Sequence, residues 1–243
     1  MVTPVPPNPP TGVASAGPAL AGLVMGRDLC RSYTRGDERV HALRDVRLDL
    51  HSGELVALVG PSGSGKSTLL NVLCGWEHVE SGTLSWAGEL GGRPPETFAW
   101  SELALVPQAL GLLEDLTVRE NVLMPARLTG RLGEQTAHAD ELMERVGITH
   151  LAGRYPRQTS LGEQQRCAVV RALLLAPRLL LADEPTAHQD AHWTEVIFTA
   201  LRELVGAGSV ALVATHNPQT WDYADRILSM HDGELTEGVP ESI

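Results

Sequence analysis

Apolar and polar positions along this chain follow two rhythms. VRLDL (46–50) alternates, as a strand with one buried face does, while LVALV (55–59) is a continuous apolar run suited to a strand buried on both faces. Ser52-Gly53 marks the turn between them. RLLLAD (178–183) and SVALVAT (209–215) repeat the continuous pattern and predict two more buried strands, with TEVIFTALRELVG as the helix between them. TLSWAGEL (83–90) reads as a short alternating strand, ended by the Gly91-Gly92 and Pro94-Pro95 breakers. Helical periodicity covers KSTLLNVLCGW, then LTVRENVLMPARL and EQTAHADELMERVG, with Gly147 as the C-terminal stop, and then RCAVVRALLLA. Ser160, with Glu163 three residues on, forms the sequence signature of a capping box ahead of that last helix.

Strands alternating with helices predict an α/β fold: a parallel sheet with helices on both faces, interrupted by an α-helical block. Order is expected from about residue 23, after a Pro- and Ala-rich disordered tail over 1–22. No internal repeat is visible.

Composition narrows the function classes. The 243 residues carry a formal net charge of −11, against the basic face a nucleic-acid protein needs. Cys30, Cys74 and Cys167 lie far apart with no CxxC pair, the usage expected of reduced thiols in a cytosolic protein. No stretch reaches the roughly 18–20 apolar residues of a membrane span. The longest candidate, LLLAPRLLLA, is broken by Pro177 and Arg178, and the N-terminus lacks the basic and apolar regions of a secretory signal.

The candidate chemistry starts at GPSGSGKS. Gly60, Pro61, Ser62, Gly63, Ser64, Gly65, Lys66 and Ser67 fit G-x-x-x-x-G-K-[ST], after an apolar strand and before a helix. Such glycines turn backbone N–H groups inward around phosphates, Lys66 supplies a point charge, and the Ser67 hydroxyl suits Mg²⁺. LLLADE delivers Asp183 and Glu184 to a strand end, where Asp183 suits a cation and Glu184 suits a general base. His216 ends SVALVAT and so falls on the ligand-binding rim of an open sheet. His188 and His192, spaced i, i+4, read as one solvated face of a helix start, with no third metal ligand near them.

The order GPSGSGKST, VPQ, TSLGEQQR, LLLADEPT, VATHN resembles the ATP-binding subunits of ABC transporters over residues 27–235. The resemblance implies a P-loop NTPase with a RecA-like core, an N-terminal antiparallel β subdomain and an inserted α-helical subdomain. One ATPase domain would span 23–243, with residues 23–108 and 171–243 in the core and β subdomain and 109–170 in the helical part. It assigns the phosphate loop to Gly60 through Thr68 and the glutamine loop to Gln108. The signature falls on Ser160, Leu161, Gly162, Glu163 and Gln164, the D-loop on Asp190, and the histidine switch on His216. Tyr33, in RSYTRG, matches the aromatic that stacks on adenine, and Ser67, Gln108 and Asp183 match the Mg²⁺ set.

VHALRDVRLDL, LLNVLCG, LLEDLTVRENV and LLLADEPT look most like the lipoprotein-release and macrolide-export branch. The resemblance further implies a homodimer, or a paired ABC ATPase, closing head to tail around two ATP. His216 would then orient Glu184 and the water at the γ-phosphate, driving a separate integral-membrane permease from the cytoplasmic face. Two departures stand out. The usual LSGGQ or LSGGE is TSLGE here, with Leu161 where Gly is usual, and Gln189 replaces the more usual Leu before Asp190. A Leu needing φ > 0 would cost on the order of 1 kcal/mol or more, whereas ordinary helical angles would cost little. The rival reading is an ATP-gated regulatory clamp with little hydrolysis. Lys66, Asp183, Glu184 and His216 all being present favours the enzyme. A DNA-associated ABC ATPase would need a basic surface and a coiled-coil insertion, and the sequence has neither.

Overall fold

The computed structural model describes residues 22–36 and 38–239. The disordered tail expected over 1–22 lies outside them except for Gly22, which opens the first strand.

Two sheets form. Strands β1 (Gly22–Arg35), β2 (Glu38–His51) and β4 (Ser81–Trp86) make an antiparallel sheet in the order β2-β1-β4. The larger sheet runs β5-β6-β7-β3-β8-β9, from β3 (Leu55–Val59), β5 (Leu103–Val106), β6 (Leu179–Asp183), β7 (Val210–Ala214), β8 (Arg226–His231) and β9 (Glu234–Glu237). All its ladders are parallel except β8–β9. This is the P-loop NTPase architecture, with the antiparallel sheet added at its N-terminal side.

The continuous apolar runs are explained by two cores, one on each face of the large sheet. Val56 and Leu58, Leu179 and Leu181, and Val210 and Leu212 pack with helix α1 (Lys66–Leu73) and the antiparallel sheet. Their alternate neighbours Leu55, Leu180, Ala182, Ala211 and Val213 pack with helices α4 (Leu161–Leu173) and α5 (Ala191–Gly206). A strand with both faces buried has no polar phase.

A third core joins helices α2 (Val118–Leu128) and α3 (Leu132–Arg145) to α4 through Val122, Ala126, Met143, Cys167 and Val170. Helix α4 faces this core with Cys167 and Val170 and the sheet core with Ala168, Val169 and Ala172, so it is buried on two sides. The line drawn between 170 and 171 therefore falls inside one helix.

Two local expectations are corrected. TLSWAGEL is strand only to Trp86. Gly88, at φ +62, turns the chain into a single 3₁₀ turn over Gly88–Leu90. His188 and His192 share no helix face, because His188 sits in the preceding turn at φ +62 and α5 begins at Ala191.

Candidate functional site

The phosphate loop lies between β3 and α1, and its shape is fixed by close backbone approach. A Cβ on Gly60 (φ +147) would sit 2.0 Å from the Met230 carbonyl oxygen, and one on Gly65 (φ +112) 2.2 Å from that of Ala42. Only glycine fits where the loop threads between β8 and β2 of the antiparallel sheet. Gly65 caps α1 in a left-handed conformation, with no side-chain cap and no acidic residue in the first turn. The N–H groups at the start of α1 and its partial positive charge are left for an anion.

Lys66 is buried, with its ammonium folded onto the carbonyls of Gly60 (2.8 Å) and Pro61 (2.9 Å). Burial pulls this ammonium below the ordinary lysine range, opposed by the nearby Glu184 and Asp183 carboxylates. Ser64 is turned inward: its backbone N–H bonds the Pro61 carbonyl, its own carbonyl accepts from the Gly233 N–H, and its side chain is buried.

Sheet register assembles the rest of the site. Asp183 pairs with Ala214 across β6–β7, the Glu184 N–H donates to the Ala214 carbonyl, and the Thr215 N–H donates to Leu58 of β3. Glu184 and His216 thus emerge side by side at the strand ends above the loop, and His216 Nδ1 lies 2.7 Å from Glu184 Oε1. Because the carboxylate only accepts, the imidazole N–H is the donor. Glu184 has φ +53, unusual for a residue with a Cβ. Its carbonyl accepts from the Gln165 side-chain amide at 2.9 Å and from the Ala187 N–H at 3.1 Å, bonds that hold the strained turn in place. The Ser67 hydroxyl donates to Asp183 at 2.6 Å.

A cleft of 340 Å³ spans these groups, lined by Ser62, Gly63, Gly65, Lys66, Ser67, Thr68, Gln108, Asp183 and Glu184, with Tyr33, Val40 and Ala42 at one side. The Tyr33 ring lies under the Arg31 guanidinium at 5.0 Å, and its hydroxyl bonds Glu77. Among the described residues no three His, Cys, Asp or Glu side chains cluster to hold a metal unaided. A hydroxyl and one carboxylate do fit a hard cation that completes its shell on phosphate oxygens.

The signature residues do not line this cleft. Ser160 N-caps α4: its Oγ accepts from the Glu163 N–H at 3.4 Å, and Glu163 accepts from the Ser160 N–H at 2.7 Å. That bond holds the Glu163 carboxyl below its ordinary range. Leu161 is the first helical residue, is 48 % exposed and has no positive φ, so its isobutyl group points to solvent without backbone strain. Gln164 donates to the Pro156 and Thr159 carbonyls, and Asp190 N-caps α5 through the Trp193 N–H.

Two residues escaped the sequence analysis. One is Gln165, behind Glu184. The other is Arg171, 3 % exposed, whose guanidinium donates to the Leu110 and Gly111 carbonyls at 2.6 Å each, just after Gln108. The available signal was three large polar side chains, Gln165, Arg166 and Arg171, within 165–173, a stretch of α4 whose other positions bury apolar groups. A buried polar group needs a partner.

Known proteins match this arrangement. Residues 43–187 match the sequence pattern of the ABC transporter family. The chain is 37% identical over 219 residues to the macrolide export ATP-binding/permease protein MacB of Escherichia coli K12, a match covering 88% of this chain and 34% of that protein. The chain thus spans about a third of the length of the curated relatives it matches. A dimeric post-hydrolysis state of the ATP-binding cassette MJ0796, bound to ADP and Pi, superposes with a TM-score of 0.80 at 30% identity, covering 91% of this chain and all of that one. The ATP-binding subunit of another ABC transporter gives 0.76 at 28% identity, over 89% of this chain and 90% of that one. The chain belongs to the ABC transporter family.

Proposed function

We propose that this chain is the ATP-binding and ATP-hydrolysing subunit of an exporter or a mechanotransmission system, and that it pairs head to tail around two ATP and drives a separate membrane permease. The carrying observation is the Glu184–His216 pair, 2.7 Å apart beside an anion-ready helix start. Gly60 through Thr68 hold the phosphates, Lys66 leaves its loop carbonyls for the terminal phosphates, and Tyr33 offers its ring to adenine. Glu184 takes the proton of the attacking water, and His216 fixes its carboxylate. Ser67 and Asp183, with the Gln108 amide, hold Mg²⁺, which when bound neutralises charge developing on the phosphates.

The placement of Ser160, Leu161, Gly162, Glu163 and Gln164 away from the cleft supports their serving the nucleotide of a second subunit, with Asp190 at the shared surface. The match to an export permease fusion supports an exporting partner and a peripheral location on the cytoplasmic face. No helix among the described residues is long and apolar enough to cross a membrane itself.

Glu184→Gln is the test. Its ATPase rate should fall by about 10²–10⁴-fold while nucleotide binding persists. Wild type and variant hydrolysing equally slowly would favour the regulatory clamp instead.

A further inference from the structure

Beyond the Gln165 bond to the Glu184 carbonyl, a second side chain ties the turn after Glu184 to the signature helix. Gln189 Nε2 donates to the Gly162 carbonyl at 2.8 Å, and Gln189 Oε1 accepts from Arg166 Nη1, also at 2.8 Å. Both ends of a single amide are therefore spent on α4. The contact is close as well as polar: a Cβ on Gly162 would lie 2.9 Å from the His188 carbonyl oxygen and 3.3 Å from Gln189 Nε2.

Arg166 is itself held, its guanidinium 4.4 Å from the Trp193 ring centroid on α5. Trp193 in turn packs on Gly147 beyond α3, where a Cβ would come within 2.3 Å of the indole. The chain of contacts Gly162–Gln189–Arg166–Trp193–Gly147 runs from the signature through the turn before Asp190 to the helical block. A leucine at 189 would supply bulk here but neither hydrogen bond.

We infer that Gln189 is a positioning residue, whose two amide bonds lock the 188–190 turn and the first turn of α4 into one unit before two chains meet. The inference rests on the composite ATP site proposed above. Its consequence is preorganisation: Ser160, Gly162 and Asp190 reach the partner's nucleotide in a fixed mutual geometry, so less ordering remains to oppose closure. Gln189 does not line the cleft of its own chain, so the binding step within one chain should not depend on it.

The test is Gln189→Met, which keeps length and apolar bulk and removes both bonds. It is made in the full chain, alone and together with Glu184→Gln, the substitution that lets ATP-closed dimers accumulate. With Glu184→Gln, the ATP concentration giving half-maximal dimer by light scattering should rise by about fivefold or more, while binding of a fluorescent ATP analogue to the single chain stays within about twofold. With Glu184 intact, KM for ATP should rise by a similar factor and kcat should hold within about twofold. Where Gln189→Met does not accumulate folded, Arg166→Lys, which removes the forked donor, is read by the same dimer titration.

An unchanged half-maximal ATP overturns the inference. So does a loss of single-chain binding parallel to the loss of closure, since that marks a merely structural residue. Failure of Glu184→Gln itself to dimerise with ATP overturns the composite-site reading, and this one with it. Dimerisation of both variants alike overturns only the role of Gln189.

Discussion

The two helix starts that carry the motifs, α1 and α4, are built in opposite ways. Helix α1 begins at a left-handed glycine, with no side-chain cap, no acidic residue in its first turn, and a buried lysine folded back on its own loop. Helix α4 begins at an extended Ser160 (φ −69), closed by a reciprocal capping box. The first leaves its N–H groups for a ligand, and the second is finished without one. A cleft that a phosphate completes gains from open donors, since they become its binding energy. A surface offered to another molecule gains from holding its shape in advance.

The contrast is easiest to break at α1. Lys66→Ala removes the only cationic side chain lining the cleft among the described residues. ATP hydrolysis should drop by about 10²-fold or more, with ATP binding weakened in an equilibrium titration of the single chain. Ser160→Arg should do the reverse. It should abolish ATP-driven dimerisation, read by light scattering, while single-chain nucleotide affinity stays within about twofold and stability falls by about 0.5–2 kcal/mol through loss of the cap. Loss of single-chain binding in Ser160→Arg would remove the distinction between the two helix starts.

How far the sequence foretold this depends on which physical signal each feature leaves. The strands Leu55–Val59, Leu179–Asp183 and Val210–Ala214 were legible because a strand serving two cores must be apolar throughout. The four-residue β5 and the antiparallel edge strand β9 were not, since such short runs carry too little periodicity. The positions of Asp183, Glu184 and His216 were readable from motif order, and sheet register then sets them side by side. The capping box at Ser160 is legible in the sequence, yet Thr117 and Glu120 build another on α2, which lines no part of the nucleotide cleft. A cap alone therefore marks a helix start and not a site. The contacts of Gln165, Arg166 and Arg171 could not be read at all. Each reaches a partner 19 to 61 residues away in sequence, so only the folded chain brings the pair together.

Smaller effects sharpen the same comparison at α4. Leu161→Gly restores the more usual glycine, but Leu161 already has ordinary helical geometry and an exposed side chain. ATPase activity should remain within about twofold, with stability lowered by at most about 1 kcal/mol from the flexible residue. An order-of-magnitude rise in activity would mean that the isobutyl group obstructs the partner, and that α4 is not finished in advance after all.

The smallest effect lies in the carboxylate half of the cap. Glu163 titrates below its ordinary range because the Ser160 N–H and hydroxyl bond its charged form, against a desolvation that works the other way. With the folded pKa below the unfolded value of about 4.3, the native state binds fewer protons than the unfolded state through that window. The contribution is therefore complete above the unfolded pKa and is lost as pH falls through the folded one. Glu163→Gln keeps an acceptor for the Ser160 N–H but cannot ionise. Its melting temperature should lie slightly below wild type at pH 7, and the gap should close on acidification below about pH 4. A gap independent of pH would show that the cap depends on the geometry of the side chain and not on its charge. The helix-start electrostatics that separate α4 from α1 would then have to come from Ser160 alone.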